Sequence, residues 1–125
     1  MIETRTQRII HKINTNGYAN AAADTFKSFV HIDDLAKSII EMIEMDFTGI
    51  IHVGPKQKES YYSFYLKRLS QIGFDSTNLF PFNISKFENP YHSFDTSLNT
   101  QKANSLLSTN FRNMDEPNGI KKDEL

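Results

Sequence analysis

The amino-terminal part of the chain contains two stretches in which apolar side chains recur at helical spacing. The first is a weak pattern over residues 2–14, and Gly17 is well placed to end that helix in a left-handed conformation. Residues 18–23 then predict a short extended stretch. The apolar positions of this first pattern are Ile2, Ile9, Ile10 and Ile13.

The second stretch changes its periodicity partway along. Phe29 and Val30 are strand-like, whereas the later apolar residues have helical spacing, so the segment predicts a strand or extended turn that runs into an amphipathic helix. Asp33 and Asp34 fall in its first turn, where a carboxylate can accept hydrogen bonds from free backbone N–H groups. The apolar face comprises Leu35, Ala36, Ile39, Ile40 and Ile43.

The middle of the chain predicts a strand followed by a helix. Residues 47–54 form a β-branched run bounded by glycines, which is typical of a buried strand. Ser60 can cap the next helix, and Gly73 can end it. The apolar face of that helix comprises Tyr61, Phe64, Tyr65, Leu69 and Ile72.

Two more elements are predicted in the last third. Residues 78–84 form an extended segment, and Pro81 confines it to an edge because proline lacks a backbone N–H. Asn99 is a suitable cap for a short helix that ends near residue 107, and residues 109–125 are predicted to be a polar tail. The side chains expected to be buried by this helix are Ala103, Leu106 and Leu107.

The alternation of short strands and helices predicts an α/β fold. A length of 125 residues suits one domain or part of one, and we take 1–125 as a single partial domain. The 14 basic and 15 acidic residues are dispersed, which argues against nucleic acid or an anionic membrane as a partner. The chain has no cysteine and no run resembling a signal peptide or membrane span, so we expect a cytoplasmic protein.

The last four residues, Lys122–Leu125, spell a retrieval signal of the endoplasmic reticulum. That signal acts only on a protein already delivered to the lumen. Since no signal peptide is visible, we interpret the match as a coincidence.

Three segments carry a resemblance to a known family. Residues 24–36 read DTFKSFVHIDDLA, residues 49–54 read GIIHVG ahead of Ser60, and residues 97–102 read SLNTQK. In this order they resemble the second half of extended short-chain dehydrogenase/reductases that act on nucleotide sugars, most closely the reductases of dTDP-linked keto-sugars. The resemblance implies a carboxyl-terminal, substrate-binding portion of mixed short strands and helices, without the amino-terminal Rossmann half.

The features that would bind the dinucleotide and catalyse hydride transfer are not in the sequence. A dinucleotide site of this class needs a glycine-rich turn between a strand and a helix, and the five glycines do not have that spacing. The family's catalytic Tyr-x-x-x-Lys does not occur either. We therefore assign no catalytic residue and expect the chain to bind no cofactor alone, while NAD(P) is implied for the intact parent enzyme.

The resemblance also implies residues that contact substrate. Lys27 occupies the position where relatives commonly have an arginine that reaches the diphosphate of the nucleotide sugar; the alternative is a solvated lysine. Residues 89–93 align with a nucleotide-facing segment, so Asn89, Tyr91 and His92 are candidates, although an ordinary surface loop explains them as well.

The histidines do not predict a metal site, because they are scattered along the chain with no close carboxylate spacing between them. His31 and His52 fall in strand-like segments, where a histidine usually has a core or capping role. We expect no metal to be bound.

Two other functions remain open. The chain could derive from a nucleotide-sugar epimerase or dehydratase of the same superfamily, or it could be a free-standing, non-catalytic sugar-nucleotide-binding or interaction module. For a partial domain we expect exposed apolar surface and self-association. The candidates for this surface are Ile9, Ile10, Phe29 and Ile39.

Overall fold

The computed structural model describes residues 2–84 and 94–115 and has the mixed α/β character that the sequence predicted. The helices of this part of the chain are α1 (Thr4–Asn16), α2 (Ile32–Glu44), α3 (Tyr61–Gln71) and α4 (Gln101–Leu106). Its strands are β1 (Ala19–Ala22), β2 (Phe26–Lys27), β3 (Glu59–Ser60) and β4 (Leu79–Phe82).

The main layer is a parallel pair of strands covered by two helices. Strands β1 and β4 run in register from Ala19 opposite Leu79 to Ala22 opposite Phe82. Each strand of a two-stranded sheet has a free edge, so Pro81 removes no ladder hydrogen bond from a central strand. Helices α1 and α3 pack against this pair and against each other. Their buried side chains are Ile9, Ile13, Ala19, Ala21, Tyr65, Leu69 and Leu79.

Two helix ends are formed by residues that the sequence singled out, whereas the N-cap of α4 is Thr100 and not the predicted Asn99. Gly17 has φ 86° and its N–H donates to the Ile13 carbonyl at 2.9 Å, so it ends α1 in the left-handed conformation that glycine tolerates best. The Ser60 hydroxyl accepts from the Ser63 N–H at 3.0 Å and caps α3. These predictions are confirmed.

A second, smaller cluster joins α4 to the segment that follows it. Ala103, Leu107 and Phe111 are buried there. Phe111 belongs to the stretch predicted as a polar tail, and the described part of that stretch, residues 109–115, packs on the domain through it. Burial of Leu106 was predicted wrongly, since it is 46% exposed: α4 has only 6 residues and presents a narrow face to the cluster.

The strand predicted at residues 47–54 is wrong. This segment contains no strand, and Ile50 is 79% exposed, because no described strand runs beside it to pair with it. Of the two alternatives predicted for Phe29 and Val30, a strand or an extended turn, the strand is excluded, since β2 ends two residues before Phe29. A β-branched run forms a strand only where a partner edge is offered.

Helix α2 turns its polar side inward. Asp34 and Ser38 are its buried residues, while its isoleucines face outward. The Asp34 carboxylate accepts from the Arg112 Nη2 at 2.8 Å and from the Arg112 backbone N–H at 3.0 Å. Two turns later along the same side, Glu41 accepts from Thr109 Oγ1 at 2.6 Å and from the Ser108 N–H. Two carboxylates thus attach α2 to the segment after α4.

The expected exposed apolar surface is confirmed only in part. Ile39 is 45% exposed, whereas Ile10 and Phe29 are half-buried. Ile9 was assigned wrongly, because it is only 6% exposed and belongs to the core between α1 and the strands.

The Asp34–Arg112 pair generates a stability prediction. Burial alone would raise the pKa of Asp34, but the hydrogen bonds and charge of Arg112 lower it below its ordinary value. Asp34→Asn leaves the guanidinium without its anion, so we expect the free energy of unfolding to fall by about 3 kcal/mol. Urea denaturation measures the change, and Asp33→Asn, at the exposed neighbouring position, is the control.

The same pair fixes the sign of the pH dependence. A carboxyl group with a lowered folded-state pKa stabilises the fold above its unfolded pKa, and this stabilisation is lost as the pH falls through the folded value. The difference in stability between the original chain and Asp34→Asn should therefore shrink below pH of about 4. A difference that stays constant down to acid unfolding would contradict the assignment.

Candidate functional site

Strand pairing places Lys27 beside the start of α3. Strands β2 and β3 are antiparallel, with Phe26 opposite Ser60 and Lys27 opposite Glu59. The next residue, Tyr61, donates its backbone N–H to the Thr25 carbonyl at 3.2 Å and begins α3. The strand register therefore fixes the backbone positions from which the Lys27 and Tyr61 side chains project.

Two cations flank the Tyr61 phenol. Arg5, in the first turn of α1, donates from Nη1 to the Tyr61 oxygen at 3.1 Å. The Arg5 Cζ lies 5.6 Å from the centroid of the Tyr61 ring, and the Lys27 Nζ lies 5.9 Å from it. We call Arg5, Lys27 and Tyr61 the cation cluster.

The neighbouring carboxylates are held by other cations. Glu59, directly opposite Lys27, accepts from Lys67 Nζ at 2.6 Å and from Ser63 Oγ at 2.5 Å. Glu3, near Arg5 on α1, accepts from Arg68 Nε at 3.0 Å. Within residues 2–84 and 94–115, neither Arg5 nor Lys27 forms a salt bridge, so the cluster has a surplus of positive charge.

This surplus acts on the acidity of the phenol. Burial by itself would raise the pKa of Tyr61, but the hydrogen bond from Arg5 and the positive charges of Lys27 and Arg5 more than offset that effect and lower it below its ordinary value. Tyr65, stacked on Tyr61 with ring centroids 6.3 Å apart, has a raised pKa because burial dominates there.

An apolar cavity of about 440 Å³ adjoins the cation cluster through Phe29. Phe29 lines the cavity, stacks on Phe64 with centroids 4.1 Å apart, and contacts Tyr61 edge-on at 5.8 Å. The charged groups of its wall are already paired, Arg68 with Glu3 and Arg112 with Asp34. The cavity therefore suits an uncharged group, and the cation cluster beside it suits an anion.

The predicted site residues have different outcomes. Lys27 lies in the cation cluster, in contact with Tyr61. Asn89, Tyr91 and His92 lie outside the described residues. Sequence reasoning missed Arg5 and assigned Tyr61 to the apolar face of a helix. No local signal could have joined them, because the contact spans residues far apart in the chain.

The histidines of the described residues do not form one site. His31 has the capping role that the sequence predicted, since its Nδ1 accepts from the Asp33 N–H at 3.1 Å at the start of α2. His52 is exposed, so a core role for it was wrong. Within residues 2–84 and 94–115, no group of three or more His, Asp or Glu could hold a metal ion. No helix in these ranges is long and apolar enough to cross a bilayer.

The described residues do not fit a dinucleotide. Such a site needs glycine where a strand turns into a helix, so that the backbone can approach the pyrophosphate. Gly17 and Gly73 instead follow the ends of α1 and α3, with φ values of 86° and 75°. Gly54 is buried, and a Cβ added there would lie 3.6 Å from the Ser28 Cβ. None of these glycines precedes a helix as a phosphate-binding turn would require.

By its fold, the chain corresponds to a portion of a larger α/β architecture, as its resemblance in sequence predicted. No family model and no curated protein sequence matches it.

Solved structures that share this fold include dTDP-4-dehydrorhamnose reductases. The enzyme from Bacillus anthracis, solved in complex with NADP, has a TM-score of 0.69 at 18% identity over 87% of this chain and 40% of its own. The Yersinia enterocolitica reductase has a TM-score of 0.67 at 17% identity, over 86% and 38% of the two chains. A hypothetical reductase from Sulfolobus tokodaii has a TM-score of 0.62 at 25% identity, over 78% and 36%. The chain thus spans less than half the length of these proteins.

The cation cluster generates a prediction about acidity. Replacing Lys27 or Arg5 with Gln removes a positive charge that favours the phenolate, so the pKa of Tyr61 should rise in each variant. NMR titration of the Tyr61 ring measures it. Lys12→Gln, at an exposed position on α1, is the control. An unchanged pKa in Lys27→Gln would mean that Lys27 does not act on this phenol in solution.

Proposed function

We propose that this chain is the substrate-binding part, one partial domain over residues 1–125, of an NAD(P)-dependent nucleotide-sugar reductase similar to the dTDP-4-dehydrorhamnose reductases. The chain would act together with a dinucleotide-binding half, which supplies the cofactor site and the hydride-transfer residues. The lack of cysteine is compatible with a cytoplasmic location.

The observation that carries the proposal is the reversed helix α2. A surface helix of a complete domain buries its apolar face, whereas here Ile32 is 70% exposed and Ile43 is 72% exposed while Asp34 is buried. Ile39, Ile40 and Ile50 are exposed as well. A row of solvent-exposed isoleucines marks an interface. The chain spans 40% or less of the length of the solved proteins that share its fold, so in proteins of that length more than half of the polypeptide is available to pack on this face.

The substrate would be held by residues of this chain. Lys27 is proposed to contact the diphosphate of a nucleotide sugar. Its position in the cation cluster supports this, because it forms no salt bridge with any residue in 2–84 or 94–115. Asn89, Tyr91 and His92 remain the proposed contacts of the nucleotide or the sugar. The chain's own contribution to the reaction is therefore binding and orientation, while NAD(P)H carried by the other half would supply the hydride.

A reconstitution experiment tests this function. The coding sequence upstream of this chain, or a neighbouring gene, should encode a strand, a glycine-rich turn, a helix and a Tyr-x-x-x-Lys. That segment, co-expressed with this chain, should oxidise NADPH when a dTDP-linked 4-keto-sugar is added. A complex that forms but leaves NADPH unchanged with this substrate would contradict the reductase assignment, and product analysis would then test an epimerase or dehydratase.

The exposed isoleucines of α2 lead to a separate prediction. Ile39→Glu combined with Ile43→Glu should reduce self-association of the isolated chain and abolish its complex with the dinucleotide-binding half, because charge is placed on the proposed interface. Sedimentation velocity measures both. Since the two side chains are exposed, the stability of the isolated chain should change by less than about 1 kcal/mol. Asn14→Glu, on the exposed side of α1, is the matched control. A double variant that still forms the complex would remove α2 from the interface.

Lys27 is tested in the reconstituted enzyme. Lys27→Ala should raise the KM of the nucleotide sugar by the equivalent of one charged contact, about 1.5–3 kcal/mol. The KM of NADPH should not change. Lys27→Arg should preserve the affinity, since a guanidinium can bind a phosphate through two donors. Unchanged KM and kcat in Lys27→Ala would return Lys27 to a surface role.

A further inference from the structure

We infer that Arg5 and Tyr61 complete an anion-binding site with Lys27, and that its ligand is the diphosphate group of a nucleoside diphosphate. The choice of a nucleoside diphosphate rests on the proposed function. The assignment of an anion site rests on geometry and charge alone.

The three side chains come from three elements that the fold brings together. Arg5 projects from the first turn of α1, Lys27 lies in β2, and Tyr61 is the first residue of α3. The Arg5–Tyr61 hydrogen bond of 3.1 Å and the 5.9 Å approach of the Lys27 Nζ to the Tyr61 ring place two cations around one phenol. The backbone of β2 and the cap at Ser60 hold Lys27 and Tyr61 in this relation.

Like charges that converge on one group repel, and their proximity needs compensation. The Tyr61 ring offers each cation a negative face, but a cation–π contact at a partly exposed site is weak. Among the described residues, the carboxylates beside these two cations do not supply the compensation. Glu59, opposite Lys27, is held by Lys67 at 2.6 Å, and Glu3, two residues before Arg5, is held by Arg68. A bound anion would supply it.

The donors suit a diphosphate. A guanidinium can bind two phosphate oxygens at once, and an ammonium acts as a point charge beside a second phosphate. The Tyr61 hydroxyl, which accepts from Arg5, still has its own proton to donate to a phosphate oxygen. Phe29 contacts Tyr61 and also lines the apolar cavity of about 440 Å³, so a ligand anchored here has space beside it for an uncharged portion.

Calorimetric titration of the full 125-residue chain tests the site with two probes, inorganic pyrophosphate and dTDP. Both should bind, and binding should weaken as the salt concentration rises, because the contacts are between charges. Chemical-shift changes in the Tyr61 ring should accompany saturation. Heat without any change at Tyr61 would overturn the assignment, as would the absence of binding by both probes.

Three substitutions test the individual donors. Arg5→Gln, Lys27→Gln and Tyr61→Phe should each weaken pyrophosphate binding by about tenfold or more, the cost of one charged contact. The matched controls are Arg8→Gln on the same helix, Lys12→Gln and Tyr62→Phe, all outside the cluster, and these should bind as the original chain does. Circular dichroism establishes that each variant is folded, and Arg5→Lys, which keeps the charge, should retain part of the affinity. Equal losses in variants and controls would reduce the effect to nonspecific charge and overturn the site.

The two probes separate this inference from the proposed function. Pyrophosphate binding that is lost in the cluster variants supports the anion site, and tighter binding of dTDP supports the nucleoside diphosphate as its ligand. If dTDP binds no better than pyrophosphate, the anion site stands but the nucleoside diphosphate is overturned. If neither binds while the reconstituted complex reduces a keto-sugar, the site falls and the proposed function survives.

Discussion

The buried carboxylate of Asp34 determines how this domain is arranged. It is 2% exposed and is bonded both to the guanidinium and to the backbone N–H of Arg112. A buried charge of this kind needs its counter-ion, so the pairing fixes the rotation of α2 about its own axis. Glu41 reinforces that rotation through Ser108 and Thr109. With the polar side of α2 turned toward the body of the protein, its isoleucines necessarily point away.

That arrangement is consistent with the small size of the core. In the described part of the chain, the largest fully buried side chains are Leu69, Thr6 and Ser38, so two of the three are polar. Alanines fill much of the space around β1. Apolar burial at this scale gives a modest stability. Ion pairs hold together segments that a larger apolar core would otherwise join. A fold of this composition would gain stability from any partner that covers α2.

Local patterns predicted the elements, and longer-range contacts decided what the patterns could not. Gly17 and Ser60 act within one helical turn of their own positions, so sequence was sufficient to place those helix ends. The run at 47–54 looked like a strand because its residues favour one, but a strand requires a partner edge, and that depends on distant residues. Ile9 was misplaced for a related reason: periodicity shows that a face is apolar and does not show what covers it.

The residues of the candidate site show the same difference between local patterns and longer-range contacts. Lys27 was found through its place in a resemblance to relatives, whereas Arg5 and Tyr61 became visible only when β2, α1 and α3 were assembled. Lys27 alone would be a poor phosphate ligand, since an ammonium lacks the two-donor geometry with which an arginine binds phosphate. In the proposed site Arg5 supplies that guanidinium from another element. Because β2 and β3 pair over only two residues, the position of Lys27 beside Tyr61 depends on the Ser60 cap and the packing of α3 as much as on the strands.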